Sequence, residues 1–261
     1  AYRQTSIKAK RMNTKISVVT PTFNEAKNIV ELCDRIATVM RNTRYEYEHI
    51  VIDNASTDET VEILRRRAAS DRNLKIIVNT RNFGHIRSPY HALFQATGDA
   101  VILMAADLQD PPEILPDLIS QWTGGFKIVM AIKQGSEEKP WKRLIRKMYY
   151  KLLNNFSESA LVPDANGGGL YDAEVINILK QIKDPNPYFR GLVCEIGFPI
   201  AKVEFFQSVR KKGSSSQNFF SLYDLAMLAI VKHSKLPLRL LTMTGVATAF
   251  ISALIGTFYL G

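Results

Sequence analysis

Short apolar runs rich in β-branched residues recur along the first half of the chain, each followed by a helical pattern, and this alternation restricts the fold more than any other feature. Residues 16–20, 49–53, 74–79, 100–105 and 128–132 have the length and composition of buried strands. Between them, residues 27–41, 58–69, 88–96 and 112–122 have the spacing of helices, with Asn24 and Ser56 as expected N-caps and Pro112 suited to a first helical turn. Strands and helices in strict alternation build a mostly parallel sheet with helices on both faces. Such a sheet binds its ligands in the crevice at the strands' C-terminal ends. The expected class is α/β, with a Rossmann-like core.

The remaining sequence divides differently. Residues 139–155 read as a basic, aromatic-studded helix and 163–171 as a glycine-rich loop around Asn166-Gly167-Gly168-Gly169. A further helix over 173–182 precedes the turn signal Asp184-Pro185-Asn186-Pro187. Over 219–231 the apolar side chains Phe219, Phe220, Tyr223, Met227, Ile230 and Val231 fall near one helical face, the pattern of an interfacial helix or of one packed on a core. No charged residue occurs from Leu240 to Leu260, and about 20 apolar residues suffice to cross a bilayer.

Charge agrees with a membrane partner. The 261 residues are 46% hydrophobic and 23% charged, which fits one large domain with a small appendage and excludes a disordered chain. The net charge of +9 concentrates at 8–15, 139–151, 210–212 and 232–239. The last two clusters shortly precede the apolar segment, so a bilayer is the expected partner and nucleic acid is not. Basic residues beside a spanning helix favour the cytoplasmic side. The expected organisation is a basic segment over 1–14, a cytoplasmic catalytic domain over 15–217, an amphipathic juxtamembrane helix over 218–235 and a transmembrane segment over 236–261 of the plasma (inner) membrane; a buried core helix is the alternative for the last. Residues 1–13 have no apolar h-region, so no signal peptide is expected. The stop at Gly261 leads to the expectation that a C-terminal portion is absent. Cys33 and Cys194 lie far apart without metal-ligand spacing and are expected to be reduced, semi-buried residues.

Most of the predicted strands in the first half end in polar residues. The first leads into Pro21-Thr22-Phe23-Asn24-Glu25, where Pro21 fixes the backbone and Phe23 offers an aromatic edge to a base. The second ends at Asp53-Asn54-Ala55-Ser56-Thr57-Asp58, and a carboxylate there can accept the imide hydrogen of uracil or the ring hydrogens of guanine. The third leads into Arg81-Asn82-Phe83-Gly84. The fourth leads into Asp107-Leu108-Gln109-Asp110-Pro111-Pro112-Glu113, where an acid and an amide oxygen can hold the divalent cation of a nucleotide diphosphate. One such ending is commonly a helix cap; four converging on one sheet edge point to a site. His85 and His91 have no metal-ligand partner at helical spacing, so surface or loop-packing roles are expected.

With these motifs the chain resembles the family 2 glycosyltransferases of the GT-A fold, in particular the polyprenyl-phosphate glycosyltransferases that include dolichol-phosphate mannosyltransferase and bactoprenol glucosyltransferases. Gly98-Asp99, Phe189-Arg190-Gly191, the run from Arg210 to Ser216 and Pro237-Leu238-Arg239 extend the likeness. The resemblance implies that Pro21, Phe23, Glu25, Asp53 and Arg81 surround the nucleotide. It implies that Asp107, the residue expected to serve catalysis, also contacts the nucleotide and with Gln109 binds Mg2+ or Mn2+. The implied reaction is inverting hexosyl transfer from a nucleotide sugar, with UDP the expected nucleotide, to undecaprenyl phosphate or a similar carrier, for cell-envelope glycans.

For the acceptor phosphate, Arg143 and Arg146 stand three apart on the basic helix and can share a face. Arg210 matches the family's Arg-x-x-Gly-x-Ser pattern, with Ser216 or Ser214 adding a hydroxyl. These arginines can equally face anionic headgroups. Ala105 stands where the family has a first Asp, Asn54-Ala55 where it has Asp-Gly, and 167–170 lack its Asp-Phe-Arg-Leu, for which Asp164 or Asp172 can substitute. Transfer to a sugar hydroxyl, with Asp164 or Asp172 as base, and a non-catalytic nucleotide-binding scaffold are the alternatives. Assembly as a homo-oligomer stays open.

Overall fold

The computed structural model describes residues 14–134, 162, 165–207, 224, 227, 228, 231, 232 and 236–260. Its elements run β1 (Lys15–Thr22), α1 (Ile29–Arg41), β2 (Glu46–Asp53), α2 (Thr60–Ala68), β3 (Leu74–Val78), α3 (Gly84–Leu93) and β4 (Ala100–Leu103). A 3-10 turn (Pro112–Ile114) then enters α4 (Leu115–Thr123), followed by β5 (Ile128–Gln134), β6 (Ala165–Asp172), α5 (Ala173–Gln181), α6 (Phe189–Glu195), β7 (Ile200–Phe206) and α7 (Leu236–Leu260). The described residues fall into two compact units, one carrying the sheet and one to which α7 belongs.

The strands form one sheet in the order β3-β2-β1-β4-β6-β5-β7, parallel throughout except for β6, which is antiparallel to both neighbours. Period-two alternation sends successive side chains to opposite faces. Ile16, Val18, Val51 and Ile102 pack with α1, α2 and α4 on one side, whereas Val19, Ile50, Ile52 and Val101 pack with α3, α5 and α6 on the other. Helix α1 shows why it docks: Ile29, Leu32, Cys33, Ile36, Ala37 and Met40 recur at helical spacing and all are buried. Each fully buried aliphatic side chain is worth about 1.5–3 kcal/mol over leaving it in water. This is the expected α/β sheet with helices on both faces.

The glycine-rich segment corrects an expectation. It is not a loop but strand β6, inserted in the middle of the sheet. Gly169 sits opposite Leu103 on one side and Met130 on the other, at φ +147°, and a Cβ there would lie 2.2 Å from the Val129 carbonyl oxygen. Only glycine admits this backbone approach. The N-caps also differ: α1 and α2 start at Ile29 and Thr60, and neither Asn24 nor Ser56 caps them. Helix α6 and edge strand β7 have no counterpart among the expected elements.

The N-terminal ends of β1, β2, β3 and the approach to β4 are tied by one buried acid. Glu48 accepts hydrogen bonds from Lys15 Nζ (3.0 Å), Lys75 Nζ (2.5 Å), Ser17 Oγ (2.6 Å) and the Thr97 amide (2.8 Å). Gly98 belongs to this knot, since a Cβ would lie 2.8 Å from the Lys15 carbonyl oxygen and Ser17 Oγ. The Gly98-Asp99 motif is therefore structural, at the sheet end opposite the polar strand endings.

In the second unit, Leu238–Tyr259 of α7 is long and apolar enough to cross a membrane, with its apolar side chains exposed all round. Of the expected amphipathic segment, residues 224, 227, 228, 231 and 232 are helical and the rest lie outside the described residues. The proposed helix over 139–155 lies outside them as well.

Candidate active site

Four strand ends meet at one edge of the sheet. β1 and β2 run parallel with Thr22 beside Asp53, β3 continues the edge with Val78 beside Asp53, and β4 lies on the other flank of β1. The loops that follow carry Phe23 and Glu25, then Asp53 to Asp58, Arg81 and Phe83, and Asp107 to Gln109. The structure thus brings Pro21, Phe23, Glu25, Asp53, Arg81, Asp107 and Gln109 to the same edge of the sheet.

Hydrogen bonds sew the first two loops together. Asn24 adopts φ +56°, and its side-chain oxygen accepts from the Thr57 amide (2.8 Å) while its own amide donates to Ser56 Oγ (2.8 Å). The Glu25 amide donates to Thr60 Oγ1 (3.0 Å), and the Glu25 carboxylate accepts from Asn28 Nδ2 (2.7 Å). Asp53 is fully buried, its two oxygens accepting from the Ser56 amide (2.9 Å) and Ser56 Oγ (2.5 Å). Asn24 and Ser56 thus act across the two loops, which is why they are not helix caps. Phe23 is 37% exposed beside this rigid pair.

Asn54, which stands where the family has Asp, is a node between loops. Its oxygen accepts from Asn79 Nδ2 (3.1 Å) and the Phe83 amide (2.9 Å), and its amide donates to Asn82 Oδ1 (2.7 Å) and the Gly84 carbonyl (3.3 Å). All four hydrogen-bonding positions of a side-chain amide are used, so an asparagine here joins the second loop to the third. An aspartate could not donate to the last two partners. Phe83, held by this bond, carries the Arg81 guanidinium 4.2 Å above its ring.

At the fourth strand end, Asp107 Oδ1 accepts from the Gln109 amide (3.2 Å), and Leu108 between them adopts φ +58°. A left-handed conformation costs a non-glycine residue about 1–2 kcal/mol, and Leu108 is held in it by packing against the core. The turn sets the side-chain oxygens of Asp107 and Gln109 two residues apart, a donor pair whose chemistry could hold Mg2+ or Mn2+. Among the described residues no group of three or more His, Cys, Asp or Glu side chains is arranged to hold a metal, so a cation held by this pair would take most of its coordination shell from the ligand and water. Gln109 Oε1 also accepts from Gln207 Nε2 (3.2 Å) just beyond β7, a contact between residues 98 apart for which the sequence gives no signal.

Other expectations resolve as follows. Asp172 is not near this edge: it pairs with Ala100 at the start of β4, caps α5 through the Glu174 amide (2.9 Å) and accepts from Trp122 Nε1 (2.7 Å). It cannot replace an acid at the strand ends. His85, near the start of α3, is exposed, its pKa lowered by partial desolvation and by the Arg190 charge, and His91 lies on the helix surface beside Gln95. Arg190 donates to the Ala165 carbonyl (3.0 Å) at the start of β6. Burial pushes the Cys33 thiol up to about 11 and raises Cys194, so both stay protonated. Asp164, Arg143, Arg146, Arg210, Ser214 and Ser216 lie outside the described residues. A cleft of about 340 Å³ lined by Arg41, Tyr47, Arg67, Ser70, Asp71 and Asn73 opens at the other end of the sheet, away from this edge.

Comparison with known proteins agrees with this geometry. Residues 17–177 match the sequence profile of Glycosyl transferase family 2. Bactoprenol glucosyl transferase of Shigella phage SfV is 33% identical over 243 residues, 93% of this chain and 79% of that protein. The uncharacterized glycosyltransferase YkcC of Bacillus subtilis is 33% identical over 88% of this chain and 72% of its own. Among solved structures, glucosyl-3-phosphoglycerate synthase from Mycobacterium tuberculosis, in complex with Mn2+, UDP-glucose and phosphoglyceric acid, superposes with a TM-score of 0.53. It is 21% identical, covering 83% of this chain and 77% of that one, a likeness of fold.

Proposed function

Because the chain belongs to Glycosyl transferase family 2, and so is a glycosyltransferase that uses a nucleotide sugar, we propose that it moves a hexose from a UDP-linked donor to a polyprenyl phosphate such as undecaprenyl phosphate. The observation that carries this reading is the meeting of Asp53 and the Asp107-Gln109 turn at one sheet edge, in a chain one third identical to bactoprenol glucosyl transferase over 243 residues. The donor's base lies against Pro21, Phe23 and Glu25, with Asp53 behind them and Arg81 at the diphosphate. Asp107 and Gln109 hold Mg2+ or Mn2+. When bound, that cation neutralises charge on the departing nucleoside diphosphate.

A phosphate monoester is already an anionic nucleophile at neutral pH. In-line attack on the anomeric carbon, with inversion, therefore needs cations to position the acceptor more than a general base. Arg143, Arg146, Arg210 and Ser216, or Ser214, are the residues assigned to that task. On this reading helix α7 anchors the enzyme in the plasma membrane, and the basic residues before it favour a cytoplasmic catalytic unit. The product serves cell-envelope glycan synthesis or modification. Transfer to a sugar hydroxyl needs a base, and Asp172 stands at the wrong end of the sheet for that role.

The full chain in detergent, given undecaprenyl phosphate, a panel of nucleotide sugars and Mg2+ or Mn2+, is expected to form a lipid-linked sugar of inverted anomeric configuration. Absence of lipid-linked product with every donor overturns the reading.

A further inference from the structure

We propose that Gln207 is a positioning residue for the metal corner, its side-chain amide holding the Gln109 carbonyl oxygen in the orientation in which it ligates the donor's cation. The inference rests on the reading of Asp107 and Gln109 as metal-binding residues. The observation behind it is the 3.2 Å hydrogen bond from Gln207 Nε2 to Gln109 Oε1. Gln207 follows directly on β7, whose C-terminal end is parallel to that of β5, so the donor comes from an element anchored in the sheet.

A glutamine side chain has three rotatable bonds and loses much rotamer freedom on being fixed. An unrestrained Gln109 would have to meet that cost at each binding event. The turn already fixes its main chain through the Asp107 bond and the left-handed Leu108; Gln207 fixes the tip. An amide oxygen has two lone pairs, so the one not facing Gln207 remains for a cation. With Ala105 supplying no carboxylate, the strand end has a single acid before Gln109, and the orientation of the amide governs more of the affinity than it would beside two acids. Groups that orient a metal ligand typically change affinity 10–100-fold when removed.

Mn2+ binding to the full chain in detergent, followed by electron paramagnetic resonance at saturating UDP, tests this. Gln207→Leu, close in volume but without a donor, is expected to weaken Mn2+ binding about tenfold, with metal-free UDP affinity and thermal stability unchanged. Gln109→Ala is expected to weaken Mn2+ binding as well, and Gln207→Leu added to it should have no further effect, because the partner through which it acts is gone. Parent-like Mn2+ binding by Gln207→Leu, or independent losses that multiply in the double variant, overturns the proposal while leaving the metal site standing if Asp107→Asn loses Mn2+. If neither Asp107→Asn nor Gln109→Ala alters Mn2+ binding, the metal reading itself falls and the proposal with it.

Discussion

The residues that depart from the family's usual motifs are the ones whose local chemistry is best defined. Asn54 is required as an amide by its four partners, two donors and two acceptors. Ala55, by contrast, adopts φ +63° where glycine would be unstrained. Removing its methyl group releases that strain. Ala55→Gly is expected to raise stability by up to about 1 kcal/mol, the left-handed penalty less the extra freedom glycine gains in the unfolded chain. Denaturant unfolding of the full chain in detergent measures this, and a loss of stability would show that the left-handed geometry carries no strain here. Leu108 shares the geometry but not the remedy, because its side chain packs on the core and its turn shapes the Asp107-Gln109 pair.

At the scale of elements, what the sequence makes legible depends on where the physical cause of each element resides. The parallel strands β1, β2 and β4 carry their own signal in β-branched apolar runs, and the polar residues at their ends are the candidate site, so both could be read directly. Strand β6 has no such signal. Asn166-Gly167-Gly168-Gly169 has low strand propensity, and it is extended because β4 and β5 supply ladders on both sides, a cause located in other segments. The alternation of β7, with Ala201, Val203 and Phe205 buried between exposed Lys202, Glu204 and Phe206, is a readable period of two; the seven-residue α6 is too short for a helical period to register. The Gln207 contact depends on tertiary placement alone. β6 also yields the sharpest element-level test. Gly169→Ala puts a Cβ 2.2 Å from the Val129 carbonyl and 3.0 Å from Met130 Cα, both backbone atoms of a central strand. Overpacking of this kind typically costs 1–3 kcal/mol and backbone collisions more, so the variant is expected to lose about 3 kcal/mol or fail to fold, as read by soluble yield in detergent and thermal midpoint. Stability equal to the parent would mean that β6 is not seated between β4 and β5.

For the unit that carries the sheet, the two ends of the strands differ: the C-terminal end carries the candidate site, and buried ionisable groups with lowered pKa values, Glu48 and His49, lie toward the other end. Burial alone would raise the Glu48 pKa, but hydrogen bonds from Lys75, Ser17, Thr97 and Lys15 outweigh it and hold the carboxyl well below the usual range. His49, buried and bonded to Thr20 Oγ1 through Nε2 (3.0 Å), is lowered to about 4, chiefly by burial, with Asp71 pulling upward and Arg67 pushing down. Both shifts are downward, so the unfolded chain binds more protons than the folded one as pH falls, and stability declines in that direction. His49 contributes fully above its unfolded value of 6.5 and loses its contribution between 6.5 and about 4, whereas Glu48 begins to act only below its unfolded value of 4.5. One pKa unit corresponds to about 1.4 kcal/mol, so the His49 share is of order 3 kcal/mol. Unfolding free energies of the full chain in detergent should therefore be flat above pH 7 and fall by roughly that amount between pH 6.5 and 4. His49→Gln keeps a polar atom within reach of Thr20 and has no titration in this window, so its decline between pH 6.5 and about 4.5 should shrink to the share of His85, whose pKa is also lowered, before Glu48 begins to act. A decline from pH 6.5 that persists unchanged in His49→Gln would assign the acid lability to another group and leave His49 as a packing residue only.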